Sequence, residues 1–247
     1  MSVSTSWQSS AGWYIKNQGN SGDYYHKSIV IPKSLRLLNL NPDSSLLDLA
    51  CGQGVLARAL PKTVDYLGLD ISQSLINNAR KLSRHQFLVR DVARPFSLPR
   101  KNFTRAALIL SLQNIEKPEI AINNAAKHLI TGGFLLIVLN HPCFRIPRQS
   151  SWGIDPQNQI EYRRINRYLS PLRIPVTTHP GDKNSPVTWS FHSSLSSYAL
   201  FLKQAGFIIT DLEEWASDKA SVGRAAGMEN RARSEFPLFL TILARKV

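Results

Sequence analysis

Three acids and two glycines dominate the chemistry this sequence can do. The stretch Leu46-Leu47-Asp48-Leu49-Ala50-Cys51-Gly52-Gln53-Gly54 plants a carboxylate inside an apolar strand and sets two glycines just after it. Glycines there allow a turn with positive φ and a close approach of a ligand to the backbone. The apolar-periodic stretch from about Val55 predicts a helix whose free N–H groups face that turn. A second strand, Asp65 to Ser72, carries Asp70, 22 residues after Asp48, and a third, Phe87 to Asp91, again ends in an acid. Strand, glycine turn, helix, strand and acid is a nucleotide-binding βαβ unit. Gly52, Gly54 and Ala57 also fit the dinucleotide spacing G-x-G-x-x-[G/A], with Asp70 on a ribose hydroxyl. A pyrophosphate on the turn would be repelled by Asp48, whereas a cationic adenosine without phosphate would be attracted.

S-adenosylmethionine is such a ligand, an adenosine bearing a sulfonium and an ammonium-carrying tail. DLACGQG (48–54) resembles motif I of the class I S-adenosylmethionine-dependent methyltransferases, and GLDIS (68–72) resembles their motif II. The resemblance covers about 40–140 strongly and 190–247 moderately. It implies an α/β fold: a doubly wound, mostly parallel, seven-stranded Rossmann-like sheet with the last strand antiparallel. It implies a methyltransferase with S-adenosyl-L-methionine as cofactor. The implied cofactor residues are Asp48, Ala50, Cys51, Gly52 and Gly54 for the amino-acid tail. Asp70, Ile71 and Ser72 would serve the ribose and one adenine face, and Asp91 and Val92 the adenine. Ser111 and Tyr14 complete this set, and a Tyr or His from the N-terminal segment (Tyr14, Tyr25, His26) is implied to cover the donor.

Acceptor chemistry is assigned to fewer residues. The apolar run Ala106 to Leu112 predicts a buried strand leading to Gln113-Asn114-Ile115, where the resembled family often carries His or Asp. Neutral amides there suit orientation of a substrate, so Asn114 and Tyr25 are candidates to position it. His141 follows the strand Phe134 to Leu139 at the carboxyl edge and titrates near neutral pH, which makes it the candidate general base. No metal site is expected, because the two cysteines, Cys51 and Cys143, form no C-x-x-C and sit among apolar neighbours.

The elements that must hold these groups follow from the pattern. Helices are expected at Ile29–Leu40, Gln73–Ser83 (Ser72 as N-cap), Lys117–Ile130 (closed by Gly132 and Gly133) and before Ala205-Gly206-Phe207. Strands are expected at Ile208–Glu213 and across Pro237–Lys246. The whole chain is taken as one domain: an N-terminal lid segment (1–39, with 1–11 loose), a cofactor core (40–144), an inserted substrate lid (145–189) and C-terminal core strands (190–247). The insert is punctuated by six prolines and is expected to be irregular. In it Tyr162 to Tyr168 would form a short basic helix, and Trp152, Tyr162, His179 and Trp189 are candidate chamber residues. His192 is expected in a turn, and Ser217–Arg233 as a basic loop.

Length, 247 residues, allows a full core. No run of about 20 apolar residues predicts a membrane span, and no secretory pattern precedes the core, so the expectation is a reduced, cytoplasmic protein. The net charge is +13, and between Arg80 and Arg105 eight basic residues meet one acid, Asp91. That run lacks the interleaved aromatics of a base-stacking surface. The partner expected is therefore a small-molecule acceptor. RNA is kept as the alternative on charge, and a non-catalytic donor-binding protein as a third reading.

Overall fold

A computed structural model describes residues 7–100, 102–178 and 185–247. Five strands in parallel run as β1 (Ser45–Leu49), β2 (Asp65–Asp70), β3 (Gln86–Val89), β4 (Phe103–Ile109) and β5 (Leu129–Asn140). Two hairpins follow, β6 (Ser150–Asp155) with β7 (Ile160–Ile165) and β8 (Leu172–Thr177) with β9 (Val187–His192), before β10 (Phe207–Trp215) and β11 (Phe239–Lys246). The helices are α1 (Ala11–Gln18), α2 (Ile31–Leu38), α3 (Val55–Ala59), α4 (Gln73–Leu82), α5 (Pro118–His128), α6 (Leu195–Gln204) and α7 (Ala226–Glu235). The main sheet has seven strands in the order β10-β11-β5-β4-β1-β2-β3, and β11 is antiparallel to both its neighbours. This is the doubly wound arrangement expected.

Each central strand is covered on both faces, which is why its sequence is nearly continuous apolar. Alternate residues divide between two cores. Leu47, Leu49, Leu108 and Ile137 pack with α5 and α6 on one face. Leu46, Ala107, Leu136 and Val138 pack with α2, α3 and α4 on the other. Asp48 shares the face of Leu46, and its register partner on β2 is Gly68, so Asp70, two residues further, lies on that face too. Both carboxylates are therefore on one side of the sheet at its carboxyl edge.

Several local expectations are corrected. The insert 145–189 is not irregular: β6–β7 and β8–β9 are regular hairpins, and Arg163 and Arg164 lie on strand β7 instead of a basic helix. The readable signal was Asp155-Pro156-Gln157-Asn158, where the Asp155 carboxylate accepts from the backbone N–H of Gln157 and Asn158 to build the hairpin turn. Pro175 sits in a two-stranded sheet, where a strand can lack a donor. Ser217–Arg233 is not all loop, because α7 begins at Ala226; of its two glycines only Gly223 takes a positive φ, 98°. Gly132 and Gly133 do not close a helix. α5 stops at His128, and they fall inside β5, at the register shift opposite β4. Within 1–11, residues 7–10 form a 3₁₀ turn docked on α4: the Gln8 side chain accepts from Ser72 Oγ at 2.8 Å and donates to Ser74 Oγ at 2.6 Å.

His141 is also corrected. Its side chain is buried, and Nδ1 accepts the Cys143 N–H at 3.1 Å. The proton therefore sits on Nε2, which donates to Glu214 Oε1 at 2.6 Å. Glu214 is on β10, so the imidazole staples the end of β5 to β10 across the start of β11. It does not face a ligand. Burial lowers its pKa, with Glu214 opposing, so the neutral ring is the folded form. His192 is likewise structural, its Nε2 on the Tyr168 carbonyl at 2.5 Å at the end of β9.

Two outcomes test this packing. A pKa lowered on folding means that the unfolded chain binds the proton first as pH falls. His141 thus contributes fully above about 6.5 and progressively less below it. His141→Ala should lower stability by about 2 kcal/mol at pH 7.5 and flatten, without abolishing, the loss of melting temperature from pH 7 to 5. His85 and His192, also lowered by burial, keep the remainder. An unchanged pH slope would disprove the staple. At Gly68 an added methyl would meet Phe87 Cδ1 at 2.7 Å, Cys51 Sγ at 2.8 Å and the Tyr66 hydroxyl at 2.9 Å. Gly68→Ala should cost about 1–3 kcal/mol in urea denaturation.

Candidate functional site

Parallel strands deliver their carboxyl ends to one edge, and a cavity of about 440 Å³ runs along that edge. Reading across the sheet, its floor passes Asp91 after β3, Asp70 at the end of β2, Asp48 on β1, Ser111 to Ile115 after β4 except Leu112, Asn140 on β5 and Phe239 on β11.

The acidic half is built around the glycine turn. Asp70 Oδ2 accepts the Gly52 N–H at 2.9 Å and Oδ1 accepts the Ser72 N–H at 2.8 Å. Both oxygens are thereby aimed, and each keeps a lone pair for a ligand. Burial raises the Asp70 pKa, and those backbone bonds oppose it. Asp48 is buried with its Oδ2 on the Tyr66 hydroxyl at 2.7 Å. Burial pushes its pKa up to about 7, the Tyr66 bond opposing and the Asp70 charge adding to the rise. Gly52, at φ 56°, faces the Tyr14 ring across the cavity: a Cβ there would lie in contact with the Tyr14 hydroxyl at 3.8 Å. Ala50, also left-handed at φ 55°, and Cys51 line the cavity beside it. Burial and the Asp48 and Asp70 charges raise the Cys51 thiol, which keeps it an inert packing group. Ile71 is 46% exposed, an apolar shelf at the cavity next to Asp70. Asp91 accepts the Ala93 N–H and pairs with Arg94 at 3.2 Å, with Val92 behind it.

Two sequence candidates do not touch the cavity. Gly54, at φ 74°, packs under Phe87 and starts α3. Ser72 caps α4, accepting from Leu75 N, and acts through Asp70. The remaining cofactor candidates, Ser111 and Tyr14, do line it.

The roof comes from both flanking segments. Trp7, Tyr14 and Gln18 reach it from the N-terminal turn and α1, followed by Asp23, Tyr25, His26 and Ile31. A single π-helical turn, His26–Val30, precedes α2. Asp23 Oδ1 accepts from His26 Nδ1 at 2.9 Å and from its backbone N–H. Burial would raise that carboxyl, but the His26 bonds and charge win and hold it well below the usual range. The Tyr25 hydroxyl bonds Ser217 Oγ at 3.1 Å. From the second hairpin come Val176, Thr188 and Ser190. The two roof segments meet where Ser10 Oγ lies 3.0 Å from Thr178 Oγ1.

The far end brings Gln113 and Asn114 together with Asn140, Arg145 and Ser190. His141 is absent, as described above. Trp152 and Tyr162 sit on the outer hairpin, and Trp189 lies under Arg173, 4.6 Å from ring to guanidinium; none of them lines the chamber. His179 lies outside the described residues. Sequence reasoning passed over Asp23, Gln18, Arg145 and Phe239. Arg145 was visible in the segment after β5, but which of Asn140, His141 and Arg145 turns inward depends on the backbone turn between them. Among the described residues no cluster of His, Cys, Asp and Glu could hold a metal, and no helix is long and apolar enough to cross a membrane.

The donor set tests the ligand. Three carboxylates around a turn of small residues, Ala50 to Gly52, with no basic residue on it, suit an adenosine bearing cationic groups and reject a pyrophosphate. A family model described as a methyltransferase domain matches residues 47–137. No curated protein matches the chain. The chain is similar to an S-adenosylmethionine-dependent methyltransferase from Mesorhizobium loti, at 24% identity, TM-score 0.67 and coverage of 89% of this chain and 99% of that one. It is similar to another from Clostridium acetobutylicum, at 19% identity, TM-score 0.60, 97% and 98% coverage. A glycopeptide N-methyltransferase solved with S-adenosyl-L-methionine shares the fold at 17% identity, TM-score 0.57, 88% and 92% coverage. The methyltransferase-domain match thus lies over β1 to β5 with this strand order around it, and the chain shares the fold of these S-adenosylmethionine-dependent methyltransferases.

Proposed function

We propose that the enzyme methylates a small molecule held inside the cavity, with residues 1–39 and 145–189 serving as its lids. The observation that carries this reading is the continuity of one chamber from Asp91 to Phe239 beneath a roof joined at Ser10 and Thr178. A macromolecular acceptor would need an open groove. Half of the basic run is also tied into the fold. Arg80 donates to the Phe87 carbonyl, Arg94 pairs with Asp91, Arg100 pairs with Asp65 and Arg105 donates to the Leu38 carbonyl. Lys101 lies outside the described residues.

In this reading Asp48 and the Ala50–Gly52 turn hold the amino-acid tail of the donor, Asp70 its ribose hydroxyls, Ile71 and Val92 its adenine faces and Asp91 the adenine amine. Bound there, S-adenosylmethionine supplies a methyl group already activated by its sulfonium. What remains for the protein is alignment and exclusion of water. Gln113 and Asn114 orient the acceptor through neutral amides, and Tyr14 and Tyr25 close over it. Where the acceptor must release a proton, His26 is the imidazole in the chamber, held through Nδ1 by Asp23.

Three measurements bear on this. Below about pH 7 Asp48 holds a proton that an incoming ammonium must expel, so donor affinity should fall about tenfold per pH unit below 7 and level off above it. Titration calorimetry from pH 5.5 to 8.5 should show that slope in wild type and its disappearance, with weaker binding throughout, in Asp48→Asn. Asp70→Ala should weaken the donor at least about 30-fold, by analogy with loss of a charge-assisted bond of about 2 kcal/mol; undiminished binding would overturn the ribose assignment. Labelled-methyl transfer to fractionated cell extract should appear in the small-molecule pool. Label confined to RNA would overturn the acceptor class, and donor binding without transfer would make the chain a sensor.

A further inference from the structure

The chamber is electrically divided. Asp48, Asp70 and Asp91 lie at the ends of β1 to β3, and a single guanidinium, Arg145, lies at the opposite end beyond β5. Buried or half-buried arginines elsewhere in this protein donate to backbone carbonyls: Arg58 to Asn20 and Gln53, with its Nη2 left unpaired, Arg105 to Leu38 and Thr104, Arg163 to Phe144. Arg145 differs. Its Nη1 donates to Asn140 Oδ1 at 3.2 Å, a neutral acceptor, and its plane lies over Phe239 at 5.8 Å. Among the described residues no carboxylate comes within ion-pair distance of it; the Asp23 carboxylate of the roof favours its charge from further off, burial opposes it, and the neighbouring Arg163 adds a like charge. A guanidinium has five N–H donors and stays charged, so a half-enclosed one with a single neutral partner is a receptor for an anion.

A second observation points the same way. Gln113 Oε1, Ser111 Oγ and Thr188 Oγ1 are buried in the cavity wall without a hydrogen-bond partner. Buried polar atoms are normally paired, and unpaired ones on a cavity wall await a ligand's polar groups. Gln113 Nε2 is already given to the Leu110 carbonyl at 2.9 Å, so its Oε1 calls for an N–H or O–H from outside. A side lobe of about 30 Å³ bordered by Gln113, Asn140, Arg145 and Ser190 brings Gln113 and Arg145 together, while Ser111 and Thr188 line the main cavity, and the lobe has room for a carboxylate but little more.

We propose that the methyl acceptor is a small organic acid whose carboxylate is taken by Arg145, its body resting on Phe239 and Tyr25 and its own N–H or O–H directed to Gln113. The Phe239 and Tyr25 rings stand edge to face at 6.0 Å, a surface for an apolar or aromatic body. The division of charge gives the chamber a polarity: a cationic donor is drawn to the β1–β3 side and an anionic acceptor to the β5–β11 side, so neither occupies the other's place. This inference rests on the methyl-transfer reading of the cavity and adds the acceptor's class to it.

The test uses the full chain saturated with S-adenosylhomocysteine and a matched pair of probes, phenylacetate and phenylacetamide, followed by calorimetry. Wild type should bind phenylacetate at least about tenfold more tightly than the amide, in line with a charge-assisted fork. Arg145→Gln should erase that preference, Arg145→Lys should keep part of it, and S-adenosylhomocysteine affinity should stay within about twofold in both, which also shows that the variants fold. No preference in wild type, or a preference that survives Arg145→Gln, would overturn the proposal. So would a parallel loss of S-adenosylhomocysteine affinity, since the guanidinium would then hold the donor's own carboxylate. Tighter binding of phenyl phosphate than of phenylacetate would replace the carboxylate by a phosphate. Failure of wild type to bind S-adenosylhomocysteine at all would count against the methyl-transfer reading instead.

Discussion

A carboxylate inside a sheet is the constraint on which the rest of this molecule turns. Asp48 is flanked by Leu47 and Leu49 on a strand whose every residue is buried, and its bond to the Tyr66 hydroxyl does not compensate for a full negative charge there. Burying an unpaired charge is costly enough that the group surrenders ionisation instead, which is the meaning of a pKa pushed up to about 7. A cation arriving from the cavity restores the charge and relieves the cost. The other residues of the strand are thoroughly packed, so the core and the acidic end of the cavity are one construction.

The same logic explains the strained turn. Ala50 and Leu110 are held at φ 55° and 50°, a conformation that non-glycine residues seldom adopt, and they follow β1 and β4 at the edge where the cavity begins. Each costs of order 1 kcal/mol. In exchange the chain leaves both strands sharply and the cavity floor stays open. Gly52 completes that floor with a bare backbone where a side chain would stand in the ligand's way.

How much of this could be read beforehand depends on whether a property is local. The parallel core was legible because strands covered on both faces must be continuous apolar runs, and Leu46–Leu49, Ala106–Ile109 and Phe134–Leu139 are such runs. The pairing of Asp48 and Asp70 on one face followed from strand, turn, helix and strand lengths. The hairpins of the insert were not legible by the same rule. Their sheets are two-stranded, and outside β9 they bury few residues, so the apolar signal is weak, and prolines that read as breakers sit where an unpaired strand edge tolerates them. His141 was misjudged for another reason. Position at the carboxyl edge is set by the sheet, but the direction of a side chain in the turn beyond it is set by Pro142 and by a partner 73 residues away, Glu214.

That turn also shows why a chamber residue can escape notice while its neighbour draws it. Histidine is the residue that general-base chemistry asks for, so attention falls on it first. Here the imidazole closes the fold by joining β5 to β10, and the guanidinium four residues later is the group left facing the cavity. The bond from Arg145 N to the His141 carbonyl at 2.8 Å ties the two residues together across one turn of chain. A staple that fixes His141 thereby also fixes the place of Arg145. The Arg145 end of the cavity is thus anchored through β5, β10 and β11, the strands farthest from the three carboxylates, and each half of the cavity is held from its own end of the sheet.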